Sequence, residues 1–240
     1  MNLSELIVND TEKIALKDLF FSPENKAALA QTIKEHHYLE ELKKYNFKVD
    51  HKILLYGHSG CGKTTTAKAI ATALGKNIVI LNLSTLINAR IGETSKNVKA
   101  LFDKAIREKA VLFLDEFDQI GKSRDSEDKD VGEMRRLVNT IIQLIDYFPA
   151  DSLLICATNH YHSIDTALLR RFQLQLKFEM PHENELDRYY DTILETFPVQ
   201  FRDIPRKYQI SYAEAKDYTH TLMKKQIIAA LELAHKKDRV

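Results

Sequence analysis

Gly57-His58-Ser59-Gly60-Cys61-Gly62-Lys63-Thr64 fits the phosphate-binding pattern G-x-x-x-x-G-K-[ST] at every fixed position. The glycines let backbone N–H groups crowd round phosphate oxygens, which a Cβ would obstruct. Lys63 is expected to reach the β- and γ-phosphates, and the Thr64 hydroxyl to ligate Mg²⁺. The loop residues His58, Ser59 and Cys61, with Thr65 just beyond, complete the expected nucleotide-binding set. The flanks agree with this reading. Lys52-Ile53-Leu54-Leu55-Tyr56 reads as a short buried strand entering the loop. Thr64–Leu74 reads as a helix leaving it, with its positive N-terminus facing the phosphates.

Outward from the loop, apolar runs alternate with amphipathic stretches. Strands are expected at Ile53–Tyr56, Ile78–Leu83, Val111–Leu114, Leu153–Ala157 and Leu174–Phe178. Helices are expected between them at Thr64–Leu74, Lys96–Lys109, Glu133–Tyr147 and Ser163–Arg170. Strand, helix, strand repeated in this way implies an α/β fold with a parallel sheet. Continuously apolar strands suit a sheet covered on both faces. Ahead of the first strand, Pro23–Tyr45 reads as a helix with Ser22 as N-cap and Pro23 at its first position. His36-His37 on that helix is expected to be exposed. After Pro181 the strand pattern stops. Glu183–Thr196 and Ser211–Lys236 read as helices, the second with a break near Thr219-His220-Thr221. The expected division is an α/β domain over 1–181, with a helical lead-in over 1–50, and a small all-helical domain over 182–240. Gly121 to Asp130 carries seven charged residues and no apolar one, so a solvated loop is expected there.

Two carboxylates, Asp115 and Glu116, end the apolar run Val111-Leu112-Phe113-Leu114. In a parallel sheet that end is where ligands sit. Asp115 can hold Mg²⁺ through water, and Glu116 can polarise an attacking water. Phosphoryl hydrolysis needs little more from a protein than positioning and charge stabilisation. Asn159 ends the next run, Leu153 to Thr158, and its amide can orient that water; an Asn that only starts a turn is individually more common. Arg170-Arg171 closes a short helix. That placement suits the helix dipole, or it offers cations to the nucleotide of a neighbouring subunit.

Lys and Arg total 35 and Asp and Glu 34, for a formal net charge of +1. The balance does not favour nucleic-acid binding. No apolar run approaches the roughly 20 residues of a membrane helix, and the N-terminus lacks a signal-peptide pattern. Neither Cys61 nor Cys156 forms a C-x-x-C, so both are read as reduced thiols of a cytoplasmic protein.

With these elements in order, the chain resembles the AAA family of P-loop ATPases. The resemblance rests on the phosphate loop, the Leu-Asp-Glu strand end, the Ala-Thr-Asn strand end, and Ser163-Ile164-Asp165-Thr166-Ala167-Leu168-Leu169-Arg170-Arg171-Phe172. Ile91-Gly92-Glu93-Thr94-Ser95-Lys96-Asn97-Val98-Lys99 with Leu101-Phe102 also resembles the family's G-E-S-x-x-N-[IV]-R-x-x-F stretch. The likeness covers roughly residues 15 to 180, and the helical tail resembles the family's lid domain. It implies Mg²⁺ and ATP as ligands and a homo-oligomeric ring, commonly a hexamer, with nucleotide between subunits. Fewer than 20 residues precede the family-like region, so a protein partner acting in trans is expected.

Three departures from the family pattern stand out. His58-Ser59 replaces two prolines that are frequent after the first loop glycine. Arg90 precedes Ile91 where an aromatic is common in the central-pore loop. Asp18-Leu19-Phe20-Phe21 stands for the adenine-contacting Asp-x-Gly-Gly, so Leu19 and Phe20 are expected to touch the base, or the phenylalanines are simply core. A nucleic-acid remodelling motor and a slow nucleotide-dependent switch are the competing functions.

Overall fold

A computed structural model describes residues 7–8, 12–88, 91–122 and 131–237. Six strands form one sheet in the order β1-β3-β4-β5-β2-β6. These are β1 (Ile7–Val8), β2 (Lys52–Gly57), β3 (Ile78–Asn82), β4 (Val111–Asp115), β5 (Leu153–Thr158) and β6 (Leu174–Phe178). β2 to β6 run parallel, and the two-residue β1 adds antiparallel to β3. β2 lies between β5 and β6, with Leu54 opposite Cys156 and Ile53 opposite Leu174.

The helices follow from the gaps between strands. They are α1 (Pro23–His37), α2 (Leu39–Lys44), α3 (Lys63–Ala73), α4 (Leu83–Asn88), α5 (Ile91–Arg107), α6 (Asp118–Lys122), α7 (Val131–Asp146), α8 (Thr166–Leu169), α9 (Glu183–Leu194) and α10 (Tyr212–Lys237). Side chains alternate faces along each strand. One set, Leu54, Leu112, Leu114, Leu154 and Cys156, joins Leu101, Phe102 and Ala105 of α5 and Leu137, Val138 and Ile141 of α7 in a single apolar cluster. The alternate set, Ile53, Leu55, Phe113 and Ile155, is fully buried as well. α3 packs against β4 and β5. Both faces are therefore covered, as continuously apolar strands require. Among the described residues no helix is long and apolar enough to cross a membrane.

By contacts the chain forms two units, Met1–Gly57 with Lys63–Phe178, and His58–Gly62 with Glu179–Val240. The second unit has its own core of Leu186, Tyr190, Leu194, Ile204, Ala215 and Met223, ringed by half-buried aromatics such as Tyr189, Phe197 and Tyr218.

Several sequence expectations need correction. The helix expected over Pro23–Tyr45 is two, because Tyr38 leaves helical geometry (φ −101°, ψ 24°). Ser22 does cap α1, accepting from the Asn25 N–H at 3.2 Å. His36 is buried, not exposed, because its Nε2 lies 2.9 Å from the Asp50 carbonyl oxygen; His37 alone is exposed. β3 stops at Asn82 because the Asn82 side chain accepts from the N–H and hydroxyl of Ser84, capping α4. α5 starts at Ile91, ahead of the expected Lys96. Ser163–Arg170 is not one helix: a 3₁₀ turn at Tyr161–Ser163 precedes α8, which Asp165 caps. α10 does not break at Thr219, whose buried hydroxyl donates to the Ala215 carbonyl at 2.8 Å. The polar residue is satisfied inside its own helix. Of the charged segment, Gly121 and Lys122 lie in α6 and 123–130 lie outside the described residues.

Candidate functional site: a phosphate loop and the strand ends beside it

β2 ends at Gly57 with φ +132°, against β6. A Cβ there would overlap the Phe178 carbonyl, so only glycine lets the loop leave the sheet at this point. Gly60, at φ +72°, belongs to the second unit and is tightly packed within it. A Cβ on it would lie 2.5 Å from Ser211 Oγ, and its carbonyl accepts from the Ala213 N–H at 3.1 Å. Ser211 and Glu214 form a capping box at the start of α10, the Ser211 N–H donating to Glu214 Oε2 and the Glu214 N–H to Ser211 Oγ. The buried Cys61 thiol lies 3.6 Å from the Ser59 carbonyl and 3.9 Å from Met180 Sδ. His58 and Ser59 are exposed.

Lys63 opens α3 and is only 7 % exposed, with Nζ donating to the Gly57 carbonyl at 2.9 Å. Thr64 follows, and its hydroxyl donates to Asp115 Oδ2 at 3.2 Å. The strand end expected to share Mg²⁺ with Thr64 is therefore in contact with it. Asp115 Oδ1 accepts from the Glu116 N–H at 2.9 Å. Burial pushes the Asp115 pKa above the usual carboxylate range, although the hydrogen bonds from Glu116 and Thr64 oppose the shift. Thr65 is half-buried in α3.

Glu116 adopts φ +55°, the left-handed region, without being glycine. Its carbonyl accepts from the Gln119 N–H, and the Phe117 N–H donates to the Ala157 carbonyl at 2.8 Å. The turn is thus tied to β5. Asn159 stands exposed just past β5. Its neighbour Thr158 is buried, donates to Asp118 Oδ1 at 2.9 Å, and accepts from the His160 N–H. Asp118 and Thr158 were not singled out in the sequence; they anchor the two turns that carry Glu116 and Asn159.

Leu19 and Phe20 are both half-buried, after a 3₁₀ turn at Leu16–Asp18 that packs on α3. Arg90 lies outside the described residues. The two arginines are not beside the loop of their own chain. Leu174, three residues after Arg171, pairs with Ile53 near the start of β2, whereas Lys63 follows its end. Ile53 and Gly57 are four residue steps apart, about 13 Å along the strand. Arg170 is exposed. Arg171 instead pairs with Asp146, Nε to Oδ1 at 2.6 Å and Nη2 to Oδ2 at 3.1 Å. No sequence signal marks Asp146 as that partner.

The loop suits a phosphate chain: glycines where side chains would collide, a buried lysine, and the first turn of a helix. Thr64 and Asp115 are hard oxygen donors of the kind Mg²⁺ takes. Fold and site together define a phosphate-loop nucleotide-binding protein. Residues 53–180 match the family described as "ATPase family associated with various cellular activities (AAA)". The chain belongs to the AAA family. It is 32% identical over 224 residues to the AAA family ATPase y4kL of Sinorhizobium fredii, covering 92% of this chain and 68% of that protein. It is also 32% identical over 167 residues to 26S proteasome subunit RPT4 of Saccharomyces cerevisiae, over 68% of this chain but only 37% of the subunit's length. The crystal structure of the FIGL-1 AAA domain superposes with a TM-score of 0.70 at 21% identity, over 89% of this chain and 72% of that one. The last comparison speaks for the fold.

Proposed function

We propose that this AAA ATPase hydrolyses ATP with Mg²⁺ as a ring of identical copies, with six favoured, and uses the energy to remodel a protein partner. One observation carries the ring: the arginine pair lies a strand length away from the chain's own phosphate loop. That is farther than an extended arginine side chain spans, which supports a second copy completing each site.

In this reading Lys63 and the loop amides of residues 57–65 bind the phosphates, and Thr64 with Asp115 holds Mg²⁺. Bound there, Mg²⁺ would neutralise charge on the phosphate oxygens. Glu116 accepts a proton from the attacking water and Asn159 orients that water. Arg170 and Arg171 supply positive charge across the interface, where arginines are worth about 10³ to 10⁵ in rate. Leu19 and Phe20 contact the base. Residues 1–181 form the ATP-binding domain and 182–240 its helical lid. Both cysteines are free thiols, which suits a reducing compartment such as the cytoplasm. The similarity to a 26S proteasome subunit supports a protein, not a nucleic acid, as the remodelled partner.

Mixing tests the ring. The Glu116→Gln chain and the Arg170→Ala, Arg171→Ala double variant should each be nearly inactive alone and regain hydrolysis when combined. Mixed interfaces would then unite an intact Glu116 with intact arginines. Absence of recovery, in assemblies shown to contain both chains, would overturn the reading.

A further inference from the structure

Arg170 and Arg171 are adjacent and chemically identical, yet they are held differently. Arg171 spends three of its five N–H groups within its own chain. Two go to the Asp146 carboxylate in a fork, and Nη1 donates to the Ala167 carbonyl at 2.6 Å. Asp146 is the last residue of α7 and Ala167 lies in α8, so one guanidinium joins two helices. Asp146 is itself fixed. Its carbonyl accepts from Lys52 Nζ at 3.1 Å, and Lys52 is buried at the start of β2. The Lys52 backbone is tied in turn to Gln173, both through the Gln173 side chain and through its N–H. Both cations also gather at the negative C-terminus of α7. Arg170 has none of this: it is exposed and makes no ion pair with any described residue.

We infer that Arg170 alone reaches the neighbouring copy's nucleotide, and that Arg171 is a positioning residue that braces the turn carrying Arg170 through Asp146. The inference rests on the ring reading above and divides a role that the sequence assigns to both residues alike. The turn is braced on its other side by Phe172, buried edge-to-face against Phe117 at 5.3 Å. Arg170 therefore leaves the surface between two fixed points, Leu168 and Phe172, both buried. Delivering Arg171 to a neighbour would break the fork and leave the Asp146 carboxylate without its paired cation. A bidentate arginine–carboxylate fork is also something lysine cannot reproduce.

Steady-state hydrolysis by the full chain, at a concentration that saturates assembly, separates the two roles. Arg170→Ala should lower kcat about 10³-fold or more. Arg171→Ala, Arg171→Lys and Asp146→Asn should each lower it far less, about 10- to 100-fold, the scale of a misplaced group. The KM for ATP should stay unchanged in all of them. Combining Asp146→Asn with Arg171→Ala should cost no more than either change alone, and the exchange D146R with R171D should restore turnover. Thermal melting of each variant identifies any that fails to fold, and Arg171→Lys and Asp146→Asn, which keep the side-chain size, then decide. The inference is overturned if Arg171→Ala falls as far as Arg170→Ala while Asp146→Asn turns over normally, or if Arg171→Ala keeps the wild-type rate. If neither arginine matters, the ring reading itself is wrong.

Discussion

The two ends of the parallel sheet are built from similar residues and treat them in opposite ways. At the starts of the strands, charged groups are tied off: Lys52 and Arg171 converge on Asp146, and Lys43 pairs with Asp151. At the ends of β2, β4 and β5 they are left poised. Asp115 is half-buried with an ionisation that its surroundings resist, Glu116 sits in a disfavoured backbone conformation, and Asn159 stands exposed. One end spends its polar groups on structure, and the other is the end proposed to bind the ligand.

That contrast can be broken by exchanging groups at the poised end first. Glu116→Gln keeps size and hydrogen bonding but cannot take a proton, so hydrolysis should fall about 10²- to 10⁴-fold with ATP binding intact. Single-turnover kinetics beside a binding titration measures both, and turnover near wild type would remove Glu116 from its role.

Lys63→Ala comes next in size. Losing a buried, hydrogen-bonded charge partner costs about 2–5 kcal/mol, so ATP affinity should drop roughly 30- to several-thousand-fold. The melting temperature of the nucleotide-free chain should barely move. Calorimetric titration showing wild-type affinity would place the phosphates elsewhere.

Asp115→Asn sharpens the comparison through stability. Burial raises the folded-state pKa of Asp115 above its unfolded value. The group's stabilising contribution is therefore complete below the unfolded pKa, about 3.9, and is lost as pH rises through the folded value. At neutral pH its charge is a net cost, so Asp115→Asn should melt higher than wild type while losing Mg²⁺-dependent hydrolysis. The gain should shrink as pH is lowered toward the ordinary carboxylate range. A variant that melts lower at pH 7 would show that the Thr64 and Glu116 hydrogen bonds outweigh burial.

The smallest effect is expected at the tied end. Lys43→Ala removes an exposed pair with Asp151, and such pairs contribute little. Chemical denaturation should give a midpoint indistinguishable from wild type, and hydrolysis should be unaffected.

The parallel sheet was legible because its strands are uninterrupted apolar runs, and the loop because few residue patterns suit a phosphate. Leu174–Phe178 was read to the residue. The local chemistry of caps was legible too, since Ser22 acts within four residues of itself. The misses share a cause: the deciding partner is remote in sequence or invisible to residue patterns. His36 is buried because Asp50, beyond the next helix, presents a carbonyl. Thr219 looked like a helix breaker because a pattern of polar residues does not reveal a buried threonine bonded to its own helix. In the site, Lys63, Thr64 and Asp115 stood out by motif, and the structure brings Thr64 and Asp115 together. Asp146 could not stand out, because an aspartate at the end of an amphipathic helix is ordinary until Arg171 is folded against it. The contact of Gly60 with Ser211 and Ala213 was equally hidden, although Ser211 and Glu214 announce a helix start.

The left-handed backbone of Glu116 has a consequence for how this chain can change over time. A non-glycine residue held there costs of order 1–3 kcal/mol, and glycine would relieve most of it. Mutation and selection for folding alone would push position 116 toward glycine or asparagine. The proposed demand for a carboxylate opposes that drift. On the role proposed for Glu116, the identity of residue 116 in any descendant copy serves as a record: a glutamate marks a lineage still under selection for turnover, and a glycine marks one that has kept the fold and let the reaction go.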